Sequence, residues 1–484
     1  MTPTRFLRTG LLGLLTSAAV LAQQSTPSYP TPQGSPTVNG LAGFAKILCS
    51  AVFISGRDDA EAAKNSAYFF MPRAEQDKVT WKLDRTAHVV TASFGPDSRS
   101  AKQYGDQGCI INNPDTPGIH FTPVAVKTTL PAADSQPWPM GDRPDSAQAA
   151  ADVDRMLLDQ ALDAAFSDPA ALTQAFLVVY KGRIVAERYA PGVTKDTQLE
   201  SWSMGKSITA TLFALLVKDG TYTIDQPAPV PLWQSPDDPR RAIRNRDLLQ
   251  MSAGLKFVGN QEPGGSPTNT VLDHYYIYTG GIDAFNFSIT RPPEFPPGTD
   301  GRYRNCDPLT IGYLVKRAVE AKGDQYLTWP QRKLFDRIGI RRQVLETDPY
   351  GNFLLTGYDY GTARNWARLG LLYLQDGMWQ GQRILPEGWS TFVSTLAPAW
   401  KLPQYGAFFW VNGDGNWNLP KNTYLAAGAG GQNTWIVPGR DLVIVRMGHM
   451  RGQTAARRIT NQALGLVTQA TAARPPVGST LPAR

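Results

Sequence analysis

The sequence predicts a mixed α/β (α+β) fold: an antiparallel sheet flanked by helices, with a helical domain inserted between its strands and an added N-terminal region. Three observations predict it. A hairpin pattern, Phe176-Leu177-Val178-Val179-Tyr180 then Ile184-Val185-Ala186 across a Lys181-Gly182 turn, stands near the start of the main region. Two more strand patterns, Thr434–Val437 and Leu442–Met447, lie near its end, across Pro438-Gly439. Between them run helical patterns broken by Pro/Gly loops, most of all over 257–300. This order lets the two ends of the region share one sheet.

Each element follows in chain order. Arg5 and Arg8 precede an apolar stretch, Leu11 to Leu21, and Val20-Leu21-Ala22 resembles a small-residue cleavage site before Gln23. Residues 1–22 therefore read as a signal peptide, and the protein is expected to be exported, either periplasmic or secreted. The stretch is too short to span a bilayer comfortably, and no cysteine lies beside the cleavage site, which argues against a lipoprotein. No other stretch approaches the length of apolar chain that a bilayer requires, so no stable membrane span is expected after signal removal. Net charge is +7, and loss of the two signal arginines leaves 46 basic against 41 acidic residues. With no Lys/Arg-rich cluster, nucleic-acid binding is not expected.

Residues 23–38, rich in Ser, Pro, Thr and Gln, read as a flexible leader. Residues 39–130 form an accessory region. An apolar helix is expected from Leu41 to Ile54, Asp58 is placed to cap a second through Ala60-Glu61-Ala62-Ala63, and Val79, Trp81 and Leu83 alternate as a strand does. Of the three cysteines, Cys49 and Cys109 both fall here and are the expected bridge of an exported protein, leaving Cys306 as a buried free thiol. Residues 131–147, rich in Pro, Asp and Ser, read as a linker. The main region, 148–470, is expected to open with a helix near Gln148–Phe166 and to close with one over 456–469. A Pro-rich tail, 471–484, follows. With 484 residues, two or three domains are expected.

The chemistry begins at Trp202-Ser203-Met204-Gly205-Lys206, which opens a helical run from Ser207 to Lys218. Lys206 is the only lysine with a serine three residues before it. Positions i and i+3 share a helix face, about 5–6 Å apart at Cβ. A serine hydroxyl needs a base, and a neutral lysine can serve if burial strips water from it. The apolar neighbours Trp202, Met204, Ile208 and Leu212 supply that burial. A Y-x-N, Tyr303-Arg304-Asn305, follows the Pro296-Pro297-Gly298 turn. Its tyrosine can relay a proton to a leaving group and its asparagine can hydrogen-bond the substrate or the lysine. A rival, Tyr350-Gly351-Asn352, lacks the Pro-Gly turn, and Tyr303 is preferred. A glycine-rich stretch, Gly428-Ala429-Gly430-Gly431-Gln432, precedes the strand Thr434–Val437 and allows a close backbone approach. An amide there can pair with that of Ser203 as an oxyanion hole. The four histidines, His88, His120, His274 and His449, show no metal-ligand spacing, and there is no C-x-x-C, so no metal or cofactor is expected. No G-x-S-x-G elbow is present.

These three elements in this order resemble the serine β-lactamase and penicillin-binding-protein superfamily. Within it the likeness is to class C-like hydrolases such as 6-aminohexanoate-dimer hydrolases and family VIII esterases. Leu199 to Ser207, Leu248-Leu249-Gln250-Met251-Ser252-Ala253-Gly254-Leu255, Ala363-Arg364-Asn365-Trp366-Ala367-Arg368-Leu369-Gly370 and Gly428 to Gln432 carry the resemblance over roughly 150–470. It implies a β-lactamase/transpeptidase-like fold with the site between sheet and helical domain. It also implies Ser203 as nucleophile, Lys206 as base, Tyr303 as partner acid/base, Asn305 as a positioning residue, and the amides of Ser203 and Gln432 as the oxyanion hole.

One departure bears on substrate. β-Lactamases and carboxypeptidases carry a lysine in the third motif, where Ala429, Gly430 and Gly431 stand here, and no lysine is near until Lys421. The missing charge-assisted contact is the kind that contributes about 1.5–3 kcal/mol. The expected activity is therefore a serine hydrolase of small esters or linear amides. The alternatives are a D-alanyl carboxypeptidase or β-lactamase of the cell wall, or an inactive penicillin-binding-protein-like binder or sensor. The expected partner is a small-molecule ester or amide. Asp273, Tyr275 and Tyr276 are further candidates for substrate contact.

Overall fold

The computed structural model describes residues 29–144, 153–259 and 271–471. The proposed signal peptide and the tail beyond 471 lie outside them.

Helix α1, Pro36–Phe53, begins where Ser35 accepts a hydrogen bond from the Val38 amide (3.2 Å), with proline in its first turn. It starts earlier than the apolar run alone indicates, because Ser35-Pro36 is a helix start that the leader's composition conceals. Helix α2, Asp59–Asn65, is capped by Asp58, as expected. Four strands follow, β1 Thr80–Asp84, β2 Val89–Phe94, β3 Asp97–Gln103 and β4 Cys109–Asn112, paired antiparallel in that order. Helix α1 packs across this sheet, and a disulfide joins Cys49 to Cys109. By length and composition α1 would pass for a membrane span, a feature the sequence reading did not single out. Here it is a core helix, with Leu41, Phe44, Ala45 and Leu48 all buried.

The N-terminal region is not merely appended. Its buried residues belong to one cluster with Met204, Phe213 and Tyr278 of the main region. Residues 29–38, expected as a loose leader, are held at Pro30, whose carbonyl accepts from Arg291, and at Tyr29, whose ring lies 4.8 Å from that guanidinium. The described part of the expected linker is fastened too. Arg368 donates to the carbonyls of Pro139 and Gly141 (both 2.7 Å), and Arg341 to that of Met140 (2.8 Å).

The main region starts with α3, Arg155–Ala165, which is capped by Asp154 and so begins later than the helix expected near Gln148–Phe166, because Val153 bridges Thr471 instead; residues 145–152 lie outside the described ones. Strands β5, Thr173–Tyr180, and β6, Arg183–Tyr189, form the hairpin. After β7, Leu199–Glu200, comes α4, Gly205–Lys218. The helical section holds α5 Asn245–Leu249, α6 Asp273–Thr279, α7 Ala284–Ile289 and α8 Cys306–Ala321. Strands β8, Val344–Leu345, and β9, Asp359–Gly361, pair with β7 in the order β7-β9-β8. Helix α9, Ala363–Leu374, precedes β10 Met378–Trp379, β11 Gln382–Arg383 and α10 Trp389–Ser394. Strands β12 Trp410–Val411, β13 Tyr424–Gly428, β14 Gln432–Val437 and β15 Leu442–Gly448 then lead to α11, Gln453–Ala470.

The central sheet runs β12-β13-β14-β15-β5-β6, antiparallel throughout, and Val443 opposite Val179 joins the two ends of the region. Its strands are apolar on both faces because both are covered. Phe176, Val178, Trp435 and Ile444 pack with α3 and α11, while Leu177, Val179, Val443 and Val445 belong to the core on the α4 and α9 side.

Candidate active site

The nucleophile turn is set by two neighbours. Strand β7 delivers Ser201, whose amide donates to the Asp359 carbonyl (3.0 Å). Trp202 then takes a left-handed φ of 51°, and Ser203 lies in a 3₁₀ turn, Trp202–Met204, that runs into α4. A left-handed non-glycine residue costs about 1–2 kcal/mol, which the packing around Trp202 must offset. Strand β13 presses on the same turn. A Cβ at Gly428 would lie 2.2 Å from the Ser201 carbonyl and 3.1 Å from the Ser203 amide, so only glycine permits this approach.

Three sequence-predicted residues meet here. Lys206 Nζ lies 3.0 Å from Ser203 Oγ and donates to the Thr356 carbonyl (2.6 Å). Ser203 Oγ is itself 3.2 Å from that carbonyl. The Tyr303 hydroxyl lies near Ser203, and the Lys206 amine sits 4.8 Å from the centre of the Tyr303 ring. Ser203 and Tyr303 are half-buried, whereas Lys206 is buried.

The electrostatics favour a neutral amine. Burial drives the Lys206 pKa well below its usual value, against a weaker upward pull from Asp359. Asp359 is itself pushed up to about 8, first by burial and then by the charge of Glu346, while hydrogen bonds from Ser201 and Gln343 oppose the shift. Its carboxyl abuts the start of α4, for a Cβ at Gly205 would meet Oδ1 at 2.6 Å. Burial also raises Tyr303, with its bond to Ser203 acting the other way. His274, on α6, falls to about 3 through burial and the nearby Lys206, so its imidazole is neutral.

Other predicted residues sit elsewhere or differently. Asn305 makes no hydrogen bond to Lys206. Its Nδ2 lies 3.1 Å from the Tyr278 hydroxyl and 3.4 Å from His274 Nε2, so it orders those two side chains beside the site. Gln432 stands at the start of β14, opposite Gly428. Its side chain is clasped to the backbone of Gly448 through bonds of 2.7 and 2.8 Å. The expectation that its amide completes the oxyanion hole therefore needs correction, because the glycine-rich turn lies between Gln432 and the stretch of β13 that meets Ser203. Within that turn, Gly430 donates to Gln453, and the Gly430 and Gly431 carbonyls accept from Arg446. The rival Tyr350 packs against His120, ring centres 4.5 Å apart, and Asn352 bonds Asp348 and Asp283, apart from Ser203. Asp273 pairs with Arg291 and Tyr276 packs on Phe287, while Tyr275 faces the aromatic side chains near Trp202. Cys306 is buried and unbridged.

Sequence reading missed the Thr356 carbonyl, His274 and Asp359. A carbonyl carries no residue signal, His274 stands in no motif spacing, and Asp359 reaches α4 from another strand.

Comparison with known proteins gives a consistent result. The Beta-lactamase family model matches residues 158–469. The 6-aminohexanoate-dimer hydrolase of Paenarthrobacter ureafaciens is 25% identical over 296 residues, 57% of this chain and 72% of that protein. A Bacillus anthracis structure assigned as a 6-aminohexanoate-dimer hydrolase superposes with a TM-score of 0.51 at 18% identity, over 74% of this chain and 90% of that one. A penicillin-binding protein homologue from Caulobacter crescentus gives a TM-score of 0.50 at 15% identity, over 64% and 97%.

Proposed function

This chain belongs to the beta-lactamase family, and from that premise we propose that it is a serine hydrolase cleaving a small ester or linear amide through an acyl-enzyme on Ser203. One observation carries the reading: a buried amine, with its pKa driven well down and, among the described residues, a hydroxyl and a carbonyl as its hydrogen-bond partners, stands 3.0 Å from the serine.

The steps follow from that geometry. Neutral Lys206 takes the Ser203 proton as Oγ attacks the substrate carbonyl carbon, and the carbonyl oxygen becomes an oxyanion. The Ser203 amide faces one side of that oxygen. We assign the second donor to Ala429 rather than Gln432. Asn412 N–H donates to the Thr423 carbonyl (2.8 Å), so odd-numbered residues of β13 turn their peptide groups towards β12 and even-numbered ones towards β14. Strand β12 ends at Trp410, opposite Leu425, and Gly428 is extended, so the Ala429 N–H points to that open edge. The intermediate collapses as the proton on Lys206 passes through Tyr303 to the leaving oxygen or nitrogen, whose bond to carbon breaks. Water then attacks the acyl-serine by the same route reversed, releasing the acid and restoring Ser203.

The substrate class rests on the third motif. Ala429, Gly430 and Gly431 bring no cation of their own, Lys421 is exposed, and the buried Arg446 guanidinium is taken up by the Gly430, Gly431 and Ala171 carbonyls, so among the described residues no free cation takes the place of the third-motif lysine. The relative from P. ureafaciens is a 6-aminohexanoate-dimer hydrolase, in keeping with a linear amide. Export is supported by the N-terminal sequence and by the Cys49–Cys109 disulfide, which persists in oxidising compartments.

Ser203→Ala is expected to lower p-nitrophenyl ester turnover at least ~10³-fold, with the melting temperature retained. Nitrocefin turnover by the native protein is expected to be negligible. Full activity in the Ser203→Ala protein would overturn the reading.

A further inference from the structure

The N-terminal region places an aromatic side chain beside the nucleophile turn. Ala67–Phe70 forms a 3₁₀ turn just after α2. It is tied to the strand leading to Ser203: Ser66 Oγ donates to Glu200 Oε1 (2.7 Å), and Arg57 donates to Ser66 Oγ (2.9 Å) while standing 3.8 Å from Glu200. From this turn the Phe69 ring reaches Trp202 at 5.0 Å and Tyr275 at 6.3 Å.

Phe69 continues a row of rings. Tyr275 lies 5.8 Å from His274, His274 6.4 Å from Tyr303, and Tyr303 5.3 Å from Trp410, on which it stacks. All five residues are half-buried. The row passes over Tyr303, whose ring lies 4.8 Å from the Lys206 amine beside Ser203, and carries no ionised group, since His274 is neutral.

We propose that Phe69 and Tyr275 form a subsite for the acyl portion of the substrate and select uncharged, ring-bearing acyl groups. The inference rests on the serine-hydrolase reading and extends it to substrate class. Tyr303 hands the proton to the leaving atom, so the leaving group lies at the Tyr303–Trp410 end. The acyl group then runs towards Phe69 and Tyr275, where a ring gains both burial and edge-to-face contact. The N-terminal region thereby contributes to specificity as well as to the core.

The test compares p-nitrophenyl phenylacetate with p-nitrophenyl acetate on the full-length protein, with fluorophosphonate labelling of Ser203 run in parallel. The native protein is expected to prefer phenylacetate in kcat/KM. Phe69→Ala is expected to cut that ratio about 5-fold, the size of one aromatic contact, and Phe69→Tyr to keep it. Phe69→Leu retains apolar packing without the ring and reads the same ratio should the alanine protein fail to fold. A ratio indifferent to Phe69→Ala or Phe69→Leu, in a protein that still labels at Ser203 and turns over both esters, overturns the subsite alone. A native protein that neither labels nor turns over either ester overturns the serine-hydrolase reading, and the subsite with it.

Discussion

Two regions of this molecule each bury a lysine. Lys46, on α1 of the N-terminal region, is paired with Glu346, lies 3.1 Å from Ser50 Oγ and sits 3.6 Å from the Tyr358 ring centre. Burial lowers its pKa, and Glu346 pulls it back by charge and hydrogen bond. Lys206 is equally buried, but its near partners are a hydroxyl and a carbonyl. The carboxyl that would hold its charge, Asp359, is pushed up to about 8 and is mostly protonated at neutral pH. Burial is common to both lysines; an ionised partner belongs to one. The partnered lysine fastens two regions together, and the unpartnered one is free to act as a base.

The comparison can be broken at each lysine. Lys206→Ala is expected to lower ester kcat/KM about 10³-fold, within the range for removing a general base, with little loss of melting temperature. A loss of folding instead would make Lys206 a structural residue like Lys46. Lys46→Met should do the reverse. It strands the Glu346 carboxylate in the core and is expected to destabilise by about 3–5 kcal/mol, read as a lower urea midpoint. Adding Glu346→Gln should restore part of that, since the amide oxygen can still accept from Ser50 and the Cys109 amide.

A pH dependence sharpens the boundary between them. The Asp359 pKa rises from 3.8 to about 8 in the folded protein, so the folded state holds a proton that the unfolded chain releases above about pH 4. This group makes stability fall as pH rises from about 4 to about 8. Asp359→Asn removes that term. Its urea midpoint is expected to fall less between pH 5 and pH 8 than that of the native protein, and equal falls would contradict the assignment.

What the sequence revealed tracks how local each feature is. Ser203 and Lys206 were legible because one helical turn holds them together whatever the rest of the chain does. The four-strand order of the sheet's ends was legible because apolar runs and turn residues are local too. Tyr303 was found by motif and order. The pairing of Lys46 with Glu346 was not, since no pattern links α1 to the loop after β8. Asp359 was hidden in the same way: its role depends on β9 pairing with β7. The Gln432 assignment went astray because counting along the glycine-rich stretch ignores the turn at Gly430 and Gly431, both with positive φ, which puts Gly428 and Gln432 on opposite strands. The start of α1 was missed because a Pro/Ser-rich composition reads as a leader even where Ser35-Pro36 is a cap.

The account depends on an uncharged Lys206 beside Ser203, and the pH dependence of fluorophosphonate labelling, followed by intact mass and peptide mapping, tests it most directly. The prediction is a single adduct on the Ser203 peptide. Its rate should reach a plateau with a midpoint well below the usual lysine value of 10.5, and Lys206→Ala should lose that plateau. A rate that climbs through pH 10.5 without levelling, or one that Lys206→Ala leaves untouched, would contradict it.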